Sequence, residues 1–278
     1  MKTILLTGAS GFVGRNIILA LSKLNVKVIL IVRKGKKDKI IKTPNIVKII
    51  KTEDIFKESI GWWKRHCKGI DIIIHAAWHV DSSKNLQSVK NIDCLIGSIN
   101  MLSGAIKAGI SRFVGIGTCI EYDLSKKFLS IDTPLNPKTL YSSSKVAFYY
   151  TLANILPQKK IEFAWCRLFD LYGEGEDKRR LVSYIENQIS KGKIAKLTSG
   201  NQIRDYLNVK KASKIITKIA LSKQQGPINV CSGKPITIRK LATKIAAKYG
   251  RVDLLKFGLR KKNKMDAPRI VGIPNYSK

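Results

Sequence analysis

Thr7-Gly8-Ala9-Ser10-Gly11-Phe12-Val13-Gly14 is the stretch whose reading decides the fold. A short apolar run, Lys2 to Thr7, precedes it. Ile17, Ile18, Leu21 and Leu24 follow at helical spacing, predicting a helix over 12–24. Strand, glycine turn and helix together make a dinucleotide-binding unit. Gly8 permits the tight turn, Gly11 lets the backbone approach a pyrophosphate, and Gly14 lets helix and strand pack closely. The helix N-terminus adds amide donors and the positive end of its dipole. Ser10, Phe12 and Val13 lie between these glycines and are expected to touch the same pyrophosphate.

Outward from this unit the chain alternates strand and helix. Strands are predicted at 27–32, 46–50, 71–74, 112–116 and 161–167. Helices are predicted at 87–108 and at 138–156, the latter halted by Pro157. Such alternation predicts an α/β fold with a Rossmann-type doubly wound parallel sheet. Beyond Arg167 the pattern loosens: a Gly- and charge-rich loop at 173–178, helices at 181–191, 212–221 and 237–249, and a short strand at 228–231. The expected division is a nucleotide-binding domain over 1–168 and a small, mainly substrate-binding α/β portion over 169–278, with 206–231 returning to the first domain.

The 278 residues carry 44% hydrophobic and 26% charged side chains, which is globular composition. No apolar run approaches the ~18 residues of a membrane span, and the N-terminal apolar stretch stops at Gly8, so it reads as a first strand rather than a leader. The formal charge is +33, from 52 Lys plus Arg against 19 Asp plus Glu. Only 12 of the 52 are Arg, and Ile occurs 39 times. Nucleic-acid readers lean on Arg forks, so this excess reads as a Lys-rich solvated surface, and nucleic acid is not the expected partner. A positive field still attracts phosphorylated substrates. Five irregularly spaced Cys and three His predict a reducing cytoplasm, no disulfide framework and no metal site.

The second strand ends in Arg33-Lys34, where a carboxylate would bind an unphosphorylated ribose. Arg forks a 2′-phosphate instead, which favours NADP(H), with NAD(H) as the alternative. Tyr141 and Lys145 are four apart on a predicted helix and share a face. A neighbouring cation is expected to lower the Tyr pKa. Thr118 sits just after the strand at 112–116, on the carboxyl edge where open α/β sheets bind ligands.

Taken together, these residues resemble the extended short-chain dehydrogenase/reductase family, in its NAD-dependent epimerase/dehydratase, nucleotide-sugar branch. That family has a TGxxGxxG turn, a Ser/Thr after the fifth strand, and YxxxK about two dozen residues on; Tyr141 here follows Thr118 by 23. Asp54-Ile55, His75-Ala76-Ala77, Arg167 to Gly173, Arg204-Asp205-Tyr206 and Pro227 to Val230 are similar to further family segments. The resemblance implies that Asp54, Ile55, Ala76 and Ala77 line the cofactor. It implies that Tyr141 is the proton donor, that Lys145 lowers its pKa and holds the nicotinamide ribose, that Thr118 bonds the reacting oxygen, and that Asp170 and Arg204 meet the substrate. Two positions depart from the family pattern: Cys94 and Asp170 each stand where it has Asn.

Within the family, dehydratases carry Asp-Glu directly after the Thr, where this chain has Cys119-Ile120. The 3,5-epimerase/reductases carry a Cys at the position of Ile120 and a His at that of Gly175. What remains is hydride transfer at one carbon. The expected activity is NAD(P)H-dependent reduction of the 4-keto group of a dTDP-, CDP- or GDP-linked (6-deoxy) sugar, in deoxysugar or surface-polysaccharide biosynthesis. The alternative is a nucleotide-sugar 4-epimerase. An alternative of another class is a non-catalytic NADP- or RNA-binding protein. A homodimer through helices 87–108 and 138–156 is also expected.

Overall fold

The computed structural model describes residues 1–35, 40–79, 85–261 and 266–276. Seven strands form a parallel sheet in the order β3-β2-β1-β4-β5-β6-β10: β1 (Lys2–Thr7), β2 (Val26–Arg33), β3 (Ile46–Thr52), β4 (Ile72–His75), β5 (Arg112–Thr118), β6 (Glu162–Leu168) and β10 (Gly226–Val230). Sequence order reverses between β1 and β4, which opens a crevice at their carboxyl ends.

Both faces are covered over the centre of the sheet, so its central strands are mainly apolar. Ile4, Leu6, Val28, Leu30, Ile72, Ile74 and Val114 pack under α1 (Phe12–Leu21) and α6 (Val209–Leu221). Leu5, Ile31, Ile73, Phe113 and Trp165 alternate onto the other face, under α2 (Ile60–Cys67), α3 (Lys90–Ala108) and α4 (Leu140–Gln158). The first helix stops at Leu21, three residues short of its expected end. The fourth runs through Pro157 rather than stopping before it. Proline there forfeits only one amide near the helix end, and Lys159 N closes the last turn on Ile155 and Leu156 carbonyls.

After β6, the chain makes β7 (Asp170–Tyr172), α5 (Leu181–Ile189), β8 (Ala195–Lys196) and β9 (Ile203–Asn208), then returns through α6 and β10 to the large sheet. β9 pairs with β7, β11 (Pro235–Thr237) and β13 (Arg269–Ile270), and β8 pairs with β12 (Leu255–Lys256). Helix α7 (Ile238–Ala247) packs on α5 through Val182, Ile185, Ala242 and Ile245. The strand Ile203–Asn208 and the helix α2 escape the periodicity reading: the first sets Arg204 and Asp205 side by side with no period-two pattern, and the second is only eight residues long. Among the described residues no helix is long and apolar enough to cross a membrane.

Candidate active site

The site gathers at the carboxyl edge of β1, β4 and β5. Gly8 turns out of β1 at φ +72°, and a Cβ there would lie 2.6 Å from the backbone of Ala76 and Ala77. Gly11 caps α1 with no side-chain hydrogen bond, so the first-turn amides of α1 are not taken up by a capping side chain. Ser10, Phe12 and Val13 are half-buried around this turn. A pyrophosphate fits such a cradle: amide donors, a dipole end and no Cβ in the way. Asp54 lies beyond β3, where its carboxylate accepts from Phe56 N at 3.1 Å, with Ile55 half-buried beside it. Arg33 is exposed at the end of β2, and Lys34 beside it is held by Glu53 at 2.6 Å.

His75 ends β4 and ties this edge together. Ala77 N donates to Thr7 Oγ1 at 3.2 Å, Thr7 Oγ1 lies 2.8 Å from His75 Nδ1, and His75 Nε2 lies 3.0 Å from Ser98 Oγ. Ser98 spends its own proton on Cys94 O. The network closes only if Thr7 donates to Nδ1 and Nε2–H donates to Ser98, so the ring is neutral. Burial, then the nearby Lys145 charge, holds the His75 pKa down to about 3.

This gives a stability prediction. Unfolded His75 takes up a proton near pH 6.5 and folded His75 does not, so the contribution is complete above that pH and is lost as pH falls towards 3. At pH 5 the loss is about 2 kcal/mol. Lys145, lowered to about 7 in the fold, adds only about 0.4 kcal/mol between pH 7 and pH 5. Denaturant unfolding at pH 7 and pH 5 should show the drop, and His75→Gln should flatten it. An equal slope in that variant would mean that other groups carry it.

Thr118 ends β5, and the helix α4 brings Tyr141 and Lys145 onto the face beside it. The Thr118 hydroxyl lies close enough to the Tyr141 hydroxyl to favour its ionised form. Burial, then the Glu121 carboxylate, pushes the Tyr141 phenol up, against the lowering expected from Lys145. The physical reason lies in what Lys145 touches. Its ammonium is fully buried, donates to Ile116 O at 2.8 Å and stands 3.7 Å over the Trp78 ring; desolvation lowers it to about 7. Cys94 accepts from His79 N at 3.3 Å, and burial raises its thiol to about 11, which leaves it a poor proton relay. Cys119 packs with Tyr122, Leu129 and Phe169, and burial raises its thiol well above the ordinary value.

Arg204 and Asp170 meet across β9 and β7. Arg204 is bound to Asp266 and to Ala267 O at 2.7 Å, with Asp170 at 3.9 Å. Asp170 lies 3.7 Å from Arg180, and burial raises its carboxyl. Asp170 therefore sits between two guanidinium groups, and acts on them rather than as an isolated ligand. Glu121, Trp78, Arg180 and Asp266 escape the motif reading. Only Glu121 had a local signal, the Thr-x-x-Glu spacing from Thr118. Among the described residues no group of His, Cys, Asp and Glu could hold a metal.

Residues 4–231 match the model of the NAD dependent epimerase/dehydratase family. The chain is similar to the dTDP-6-deoxy-L-talose 4-dehydrogenase (NAD(+)) of Aggregatibacter actinomycetemcomitans, 23% identical over 88% of this chain and 90% of that protein. Among solved structures, the UDP-N-acetylglucosamine 4-epimerase of Methanobrevibacter ruminantium M1, in complex with UDP-N-acetylmuramic acid, superposes with a TM-score of 0.87, 19% identity, and coverage of 98% of this chain and 89% of that one. The UDP-glucose 4-epimerase of Thermus thermophilus, in complex with NAD, gives 0.83, 20%, 98% and 90%. At these identities the structural likeness is one of fold.

Proposed function

The chain belongs to the NAD-dependent epimerase/dehydratase family, and on that footing we propose that it reduces the 4-keto group of a nucleotide-linked 6-deoxy sugar. The observation that carries this reading is the placement of Tyr141 beside Thr118, followed in the chain by Cys119 and Ile120. Those two positions hold no carboxylate, and the Cys119 thiol is buried and raised. The site thus has a proton donor for one oxygen and no second acid–base pair for dehydration. The 4-dehydrogenase among the relatives supports the same choice.

Gly8, Ser10, Gly11, Phe12, Val13 and Gly14 cradle the cofactor pyrophosphate, Asp54 and Ile55 border the adenine, and Ala76, Ala77 and Lys145 face the nicotinamide half. The bound nicotinamide supplies hydride to sugar C4. Tyr141 gives its proton to the C4 oxygen as general acid. Thr118 bonds the same oxygen and stabilises its developing charge. Arg204 and Arg180, spaced by Asp170, take the substrate diphosphate. On this reading 1–168 binds the cofactor and 169–278 mainly the substrate, with 206–231 belonging to the first.

The test is NADPH consumption with a panel of dTDP-, CDP- and GDP-linked 4-keto-6-deoxyhexoses, products being identified by NMR. One NADPH should be oxidised per sugar reduced. Purified protein that carries bound cofactor and equilibrates two 4-epimers with no net consumption would make it a 4-epimerase, the activity named in the superposed structures. Arg33, with no ion pair among the described residues, supports tighter binding of NADPH than NADH; equal affinities would reduce it to surface charge.

We also propose a homodimer through α3 and α4. Ile92, Ile96 and Ile99 are exposed at helical spacing on α3, and Tyr150 is exposed on α4. Paired across a two-fold axis, such apolar stripes would bury one another. A sedimentation mass of one chain would remove this.

A further inference from the structure

We propose that Glu121 is a positioning residue of this site, fixing Thr118 through its backbone amide and setting a buried negative charge beneath Tyr141 and Lys145. The inference rests on the reading of Thr118 and Tyr141 as the reducing pair.

Glu121 follows β5 in the short 3-10 turn Cys119–Glu121 and is fully buried. Its Oε1 accepts from Thr118 N at 2.8 Å and from Trp165 Nε1 at 3.2 Å. Its Oε2 accepts from Trp165 Nε1 at 3.0 Å and from Arg167 Nε at 2.7 Å. A Cβ at position 117 would stand 2.6 Å from that Oε1 and 2.3 Å from the indole nitrogen, so Gly117 makes the room that the carboxylate occupies. Arg167 is itself 1% exposed, donates to Tyr122 Oη at 3.0 Å and lies between the Tyr122 and Tyr149 rings. One end of its guanidinium, Nη2, has no hydrogen-bond partner among the described residues.

Such an ion pair is a poor way to stabilise a core. Desolvating two charges offsets their attraction, and an apolar pair of the same volume often does as well or better. A purely structural account therefore explains weakly why a carboxylate stands here, three residues from Thr118. Its placement relative to the reacting groups supplies a reason. Its charge raises the proton affinity of both Tyr141 and Lys145, offsetting part of the desolvation that drives Lys145 towards neutrality. The bond to Thr118 N fixes the backbone that carries the second donor to the substrate oxygen.

The other groups facing this pair are few. Cys119 and Arg180 act on Tyr141, Cys94 acts on Lys145, and neutral His75 faces Lys145 from β4. Trp78 covers the ammonium, and Arg167 and Tyr122 lie behind Glu121. All remain when Glu121 alone is changed, so a change in the pH profile reports Glu121.

The experiment is the pH profile of kcat for NADPH oxidation in wild type and Glu121→Gln, which keeps an acceptor for Thr118 N and removes the charge. The alkaline fall of kcat should begin about one pH unit lower in the variant, with kcat reduced about tenfold at pH 8. Because Glu121→Gln leaves Arg167 buried and unpaired, Glu121→Gln/Arg167→Met, which removes both charges, carries the same test if the single variant does not fold. A lowered kcat with an alkaline limb superimposable on wild type, in whichever variant folds, would make Glu121 merely structural and overturn the proposal. Wild-type protein that oxidises no NADPH with any ketosugar would instead overturn the reductase reading, and this positioning role with it.

Discussion

Tyr141→Phe should fold, bind the cofactor as wild type does, and turn over at least about 100-fold more slowly. The substitution keeps the ring, and so its edge contact with Trp78 at 6.5 Å and its place on α4. It removes the hydroxyl that lies beside Thr118. Neither neighbouring acid is placed to substitute: Cys119 is a buried thiol raised well above its ordinary value, and Lys145 is engaged with Ile116 O and Trp78. The loss should fall on kcat rather than on KM, because the proton is needed as charge develops on the oxygen. Single-turnover rates with saturating cofactor, beside a binding titration, check it. Near-wild-type turnover would remove Tyr141 from the chemistry.

The second large effect is structural. A Cβ at Gly14 would lie 2.1 Å from Gly8 O, 2.7 Å from Gly8 C and 3.0 Å from Ala9 Cα. Every one of these is backbone, so no rotamer change relieves the clash. The turn or the helix must move. Gly14→Ala should cost about 3 kcal/mol in unfolding free energy, which lowers Tm by roughly 6–12 °C in a chain of this size. Moving the turn also misdirects the α1 amides, so cofactor affinity should fall at least about tenfold even in the folded fraction. Calorimetry and a cofactor titration on the same preparation separate the two losses. Wild-type Tm and affinity would mean that the turn has slack that the 2.1 Å approach denies.

The Rossmann core was legible in the chain because its signals are local. A strand buried on both faces must be apolar along its whole length, as Lys2–Thr7 and Ile72–His75 nearly are, and a glycine turn that meets a phosphate needs its glycines at fixed spacing. The smaller lobe was harder to read. Residues Ile203–Asn208 carry adjacent charges instead of a period-two pattern, because Arg204 pairs with Asp266 while Asp205 accepts from the Ser232 and Gly233 amides, and those partners lie far along the chain. The eight-residue α2 owes its stability to packing Trp63 and Cys67 under α3 rather than to its own pattern.

The sequence by itself determined the strand order along the Rossmann core, the glycine turn, and the candidates Thr118, Tyr141 and Lys145, since each is marked by residue type at a fixed separation from a recognisable element. Only the tertiary structure decided how those candidates are charged. Proton affinity depends on desolvation and on the nearest opposite or like charge, and these come from residues that share no local pattern: Trp78 and Ile116 around Lys145, Glu121 beneath Tyr141, Thr7 and Ser98 on either side of His75. A Tyr and a Lys four apart predict a shared face. Whether the lysine lowers the tyrosine or turns away to a strand carbonyl is fixed by the β5 backbone and the Trp78 ring, which packing, not spacing, brings to it.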